Sequence, residues 1–179
     1  GIEVIMEICQ KTDSKNPVEI ARKIMEDPYI YMHGPEHHVM VGAVLLTAYR
    51  NSGGDIDLKE ALEEMKERGS QIPGGVCGFW GCCGAGVSTG IYMSIVTGAT
   101  PLAGCSWGLA NRTTAKALEA IGELGGPRCC KRDTFTAIRK AAEMTAKELG
   151  IEMDCPAEIV CAFSEENQQC LKKACPYHR

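Results

Sequence analysis

Apolar residues run almost unbroken from Val39 to Leu46 inside the segment "PEHHVMVGAVLLTAYRNSGG". A helix that is apolar nearly all round is a buried one. The segment therefore predicts a central helix, started at Pro35 and stopped at Gly53-Gly54. "NPVEIARKIMEDP" predicts a second helix, with Asn16 as cap, Pro17 in the first helical position and Pro28 beyond its end. "DLKEALEEMKERG" has the opposite pattern, an amphipathic helix with a charged solvent face. Asp57 and Glu60 form a capping box at its start, and Gly69 closes it.

Further helices follow in "GAGVSTGIYMSIVTG", rich in small residues, and from Leu109 to Leu124, closed by Gly125-Gly126. Asp133 is the expected cap of "TFTAIRKAAEMTAKELG", which ends at Gly150. These elements predict a mainly α protein with a compact helical core over residues 1–150. After Gly150 the texture changes. Residues 151–179 hold four of the eleven cysteines and read as a cysteine-rich, metal-stabilised extension packed on the same domain. Within it, "AEIVCAF" suits a short strand or an extended arm, and "SEENQQCLKKA" suits a helical stretch capped by Ser164.

Composition sharpens this picture. The chain has 179 residues, 45% hydrophobic but only 6% aromatic, with 20 glycines, which suits closely packed helices with small contact residues. The net charge of -4 and the lack of a basic run argue against nucleic acid. No stretch approaches the ~20 apolar residues of a membrane span. No signal peptide is visible, although the chain starts "GIEV" without Met, and a cytoplasmic location is expected.

Eleven cysteines is an odd number, which disfavours complete pairing. Reduced thiols at this density point to metal or redox chemistry. "PGGVCGFWGCCGAG" and "GGPRCCKRD" each place adjacent cysteines after a Gly-Gly pair and just before a helix. Free N–H groups and the helix dipole there favour a thiolate or an anionic cluster. Arg128, Lys131 and Arg132 act in the same sense. Adjacent cysteines chelate one ion poorly because their side chains diverge, but they can serve different sites. Cys77, Cys83, Cys129 and Cys130, with Arg128, are the candidate cofactor-binding residues of a shared core site. The competing reading is tight helix contact requiring small residues.

In the tail, Cys161, Cys170, Cys175 and His178 form a candidate four-ligand metal knuckle, with Cys155 as a substitute. The segment has so little apolar content that a metal would fold it. "HGPEHH" supplies His33, Glu36 and His37 as candidate proton-transfer residues facing the same cavity. The competing reading is a hydrogen-bonded cap at the end of a buried helix. The His-x-x-Glu-His spacing of zinc peptidases does not carry over, because Pro35 leaves His33 outside the helix. Cys9 and Cys105 read as structural.

The segments "MHGPEHHVMVGAVLLTAYRN", "GGVCGFWGCCGAGVSTG", "ATPL", "GGPRCCKRD" and "CPYH" resemble a domain-of-unknown-function family of methanogenic archaea and anaerobic bacteria. The resemblance spans about residues 30–178. It implies an anaerobic habitat and favours iron–sulfur chemistry over zinc. It also implies partners of the methyltransferase or radical-SAM type, to which such domains are attached. The position of Cys82 is often a small residue in that family, which favours Cys77 and Cys83 as ligands. A fold-level likeness in the Gly/Cys-rich loops links the chain to oxygen-sensitive iron–sulfur lyases.

The leading expectation is an oxygen-sensitive iron–sulfur protein carrying a [4Fe–4S] cluster, with an open iron acting on a small, sulfur-containing substrate as a lyase or sulfur-transfer enzyme. The alternatives are a structural zinc protein that binds a partner, and a thiol-based sulfur carrier or redox protein using Cys129 and Cys130.

Overall fold

The central helix is α3, Glu36–Asn51, and thirteen of its sixteen residues are buried. In the computed structural model, which describes all 179 residues, five other helices pack on it: α1 (Ile2–Lys11), α2 (Pro17–Met25), α4 (Leu58–Gly69), α6 (Gly84–Thr97) and α8 (Cys130–Leu149). The fold is all-helical. The one-turn α5, Val76–Phe79, precedes α6, and α7, Cys105–Leu124, lies across α6 and α8. No helix is long and apolar enough to cross a membrane.

Small residues let these helices approach closely. A Cβ added at Gly42 would overlap the Met65 side chain, linking α3 to α4. One at Gly86 would overlap Leu118, and one at Gly90 would overlap Thr114, so α7 rests directly on the α6 backbone. Gly84 faces the His38 ring in the same way, at the contact of α6 with α3. Buried polar groups are matched across these contacts. Tyr92 Oη and Thr145 Oγ1 are hydrogen-bonded at 2.8 Å between α6 and α8, and Gly42 N–H donates to Ser88 Oγ at 2.9 Å.

The helix ends obey local chemistry. Asn16 Oδ1 accepts from Val18 N and Glu19 N, both at 3.0 Å, and Asp57 Oδ1 accepts from Glu60 N at 3.0 Å. One helix is added and two expected boundaries move. Helix α1 was not anticipated. Helix α7 begins at Cys105, a turn before Leu109. Helix α8 begins at Cys130, so Asp133 lies inside its first turn and Cys129 is the cap. The Cys129 sulfur accepts the Arg132 N–H at 3.4 Å, taking the role assigned to an aspartate oxygen.

Residues 151–179 form no strand and no α-helix. They run as an extended arm and tight turns, with a single 3-10 turn at Lys172–Ala174. The expected helix after Ser164 is absent. The Asn167 side chain turns back on its own segment and accepts from Gln169 N at 2.9 Å, a local bond that competes with helix formation. The arm is nonetheless fixed to the core. Ile159 and Tyr177 are buried in it. Arg22 Nη2 donates to Val160 O at 2.6 Å, Cys161 N donates to Tyr177 O at 2.7 Å, and the Tyr177 and Thr136 hydroxyls are 2.7 Å apart.

Candidate functional site

The start of α8 separates two groups of cysteines. Cys129 lines a cavity closed on its other side by the tail, together with Cys161, Cys170 and Cys175. Cys130, one residue on, lies outside that cavity. Cys129 is the extended cap residue and Cys130 the first helical one, so the adjacent thiols have different surroundings.

The tail cavity is tight, with about 20 Å³ of free volume within about 360 Å³ of space counted out to open solvent. Its thiols are hydrogen-bonded by N–H donors. Phe163 N donates to Cys161 Sγ at 3.3 Å and Lys172 N to Cys170 Sγ at 3.4 Å. Both bonds reach back two residues. Cys129 Sγ accepts from Arg132 N at 3.4 Å and from Asn167 Nδ2 at 3.3 Å. Asn167 Oδ1 in turn lies 3.2 Å from His33 Nε2, and His33 Nδ1 accepts the Cys130 N–H at 3.4 Å. His33 therefore acts through Asn167, holding the amide that donates to the Cys129 sulfur. His178 also lines the cavity. No three His, Cys, Asp or Glu side chains converge closely enough to hold a single metal ion.

The cavity wall is positively charged. Lys131 is only 1% exposed and has no carboxylate partner. Its Nζ donates to Tyr31 O at 3.0 Å and to His37 Nε2 at 3.2 Å, and it sits 5.1 Å from the centre of the Phe163 ring. His37 Nδ1 is 2.9 Å from Gly34 O. These contacts require the neutral imidazole, with its proton on Nδ1. Burial, reinforced by the Lys131 charge, pushes the His37 pKa down to about 3. Burial also lowers Lys131, against the pull of the Cys130, Glu36, Cys129 and Cys161 side chains. Arg132, equally buried, donates to Asp133 Oδ1 at 3.2 Å and to Gly125 O and Pro127 O at 2.9 and 3.0 Å. Burial raises the Cys129 and Cys161 thiols. At Cys129 the Arg132 N–H and charge oppose that shift, and at Cys161 the Phe163 N–H does so first.

On the opposite side of α8 lies an open cleft lined by Cys77, Cys83, Arg128, Arg132 and Asp133. Cys83 is the residue before α6, and its thiol faces Asp133 Oδ2 at 3.9 Å. Burial and the Asp133 charge push its pKa up to about 12. Burial raises Cys130 to about 11. Asp133 is raised by burial while the Arg132 charge opposes the shift.

The candidate residues thus divide differently from the sequence grouping. Cys129 joins Cys161, Cys170, Cys175 and His178. Cys77, Cys83 and Arg128 line the cleft. Cys130 and Cys82 line neither space. Glu36 accepts the Tyr31 N–H at 3.1 Å and sits 3.9 Å from His37 Nδ1, so it braces the loop before α3. Asn167 and Asp133 were not singled out for these positions. Lys131 carried a signal in its place beside the Cys pair, whereas nothing local marks Asn167.

All eleven cysteines are free thiols. No curated protein and no solved structure matches the chain. The family of unknown function DUF5714 matches residues 5–178, nearly the whole length, and the chain belongs to that family.

Proposed function

We propose that this protein binds an iron–sulfur cluster of the [4Fe–4S] class between the start of α8 and the tail, with Cys129, Cys161, Cys170 and Cys175 as thiolate ligands. The observation that carries the reading is that four thiols from two distant parts of the chain line one cavity, and three of them accept N–H hydrogen bonds. Such bonds stabilise sulfur that carries negative charge and tune a cluster's potential. Four thiols spread over a cavity suit a polynuclear cluster, in which each binds a different iron, better than a zinc ion bound by all four at one point. The buried Lys131 supports the same reading, because a cation without a carboxylate partner is costly unless an anion faces it. A cluster held by all four thiolates would supply electron transfer. The chain's own part is to hold the thiolates and to supply the Lys131 and Arg132 charge.

The test is anaerobic purification with iron, acid-labile sulfide and zinc analysis. Iron and sulfide are expected in near-equal amounts. Cys129→Ser and Cys170→Ser should lose both, while Cys77→Ser keeps them. Stoichiometric zinc without iron, or iron that survives Cys129→Ser and Cys170→Ser, would overturn the proposal.

A further inference from the structure

The cleft beyond α8 is a separate space of about 1260 Å³, counted with its open side. Six of the residues lining it are glycines. Three of these have a structural cause in the chain itself, because Gly75, Gly81 and Gly125 have φ of 83°, 63° and 74°, where other residues are strained. The other three, Gly78, Gly122 and Gly126, have no positive φ, and a Cβ added to any of them would meet nothing within 4 Å. Gly122 lies within α7, where glycine lowers helix stability relative to alanine. Neither backbone conformation nor internal packing accounts for these three positions. They widen a space that the protein does not fill.

Groups able to recognise a ligand converge on that space. Arg128 is exposed at the cleft and pairs with no carboxylate of the chain. Cys77 and Cys83 line it. Asp133 lies deeper and is already engaged by Arg132 at 3.2 Å. Phe79, 91% exposed, stands at the margin. An open space with one free guanidinium and two thiols suits a small molecule with a carboxylate at one end.

We propose that the cleft between α5 and the α7–α8 turn binds a small carboxylate-bearing molecule, with Arg128 holding the carboxylate and the other end of the molecule placed against the thiols of Cys77 and Cys83. The site does not depend on a cluster in the tail cavity.

Iodoacetate and iodoacetamide test this directly, since both alkylate thiolates with loss of iodide and differ in the carboxylate. The rate at each cysteine of the full chain is read by peptide mass spectrometry under anaerobic conditions, with the exposed Cys105 as internal reference. The iodoacetate-to-iodoacetamide rate ratio should be severalfold higher at Cys77 than at Cys105, the size of one partly exposed charge pair. Arg128→Gln should bring it down to the Cys105 value. Gly122→Ala should lower it as well while raising Tm. Equal ratios at Cys77 and Cys105 in the native protein would overturn the proposal. So would a Gly122→Ala protein that keeps the full ratio, or one that loses thermal stability because the glycine serves internal packing.

Discussion

Asn167 Nδ2 donates to Cys129 Sγ at 3.3 Å although 38 residues separate them. The bond ties the tail to the first turn of α8, and His33 holds the other end of the same amide at 3.2 Å. Asn167→Ala removes both contacts at once and leaves the half-buried His33 Nε2–H without its partner. The loss should be about 1–2 kcal/mol, the usual worth of one or two lost hydrogen bonds. Urea unfolding read by circular dichroism measures it, and an unchanged midpoint would show that the tail is held elsewhere.

Lys131 gives a prediction that distinguishes the iron-loaded protein from the iron-free one. Lys131→Met removes the cost of a buried cation but strands the acceptors Tyr31 O and His37 Nε2. The substitution should therefore lower Tm less in the iron-free protein than in the iron-loaded one. With a cluster bound, the same change should lower the reduction potential, because the lysine charge favours the more negative reduced state; the shift should be on the order of tens of millivolts. Protein-film voltammetry reads the sign, and a rise in potential would contradict the assigned geometry.

His37 should stay neutral well below the pH at which an exposed imidazole charges. Its folded pKa is pushed down to about 3 from an ordinary value of 6.5. Between these values the unfolded chain binds a proton that the folded chain does not. Stability should thus fall as the pH drops below about 6.5, by at most ~1.4 kcal/mol per pH unit for this one group. His37→Gln should flatten that part of the profile. A His37 imidazole resonance, assigned by its loss in His37→Gln, that titrates near pH 6.5 by NMR would refute the neutral assignment.

Gly84→Ala tests the contact of α6 with α3. The new Cβ would fall within the His38 ring, which is itself fixed by the bond from Nδ1 to Ile72 O at 3.1 Å. The ring has little room to move, and the expected cost is about 1–3 kcal/mol, as for other overpacked cores. Gly42→Ala should cost less, because the overlapping atoms belong to the flexible end of Met65. Thermal denaturation of the pair checks the order, and equal losses would argue against it.

Helices were legible where periodicity and end signals agreed. The all-round apolar run Val39–Leu46, the Asn16 cap and the Gly150 stop all appear in the structure as the pattern implies. Helix α8 was misplaced by a few residues because a cysteine cap has no sequence signature like that of aspartate, and the acidic Asp133 drew the assignment. The tail was misread as partly helical because Asn167 and the turns around Cys161 and Cys170 spend their hydrogen bonds locally. The placement of thiols was harder still. Sequence proximity grouped Cys129 with Cys130, but the step from extended cap to first helical residue gives them different surroundings, and only tertiary packing brings Cys129 to Cys161. The wider positions Gly78, Gly122 and Gly126 are indistinguishable in sequence from the glycines that turn the backbone.

The first turn of α8 is a wall common to both spaces, with Cys129 on one side and Cys83, Asp133 and Arg128 on or near the other. A tilt or rotation of that turn moves both faces together. Any ligand that prefers one orientation of the turn therefore alters the affinity on the far side, and thermodynamic reciprocity makes the effect equal in both directions. Were both spaces occupied, the tail cavity and the cleft would be two inputs to one mechanical element.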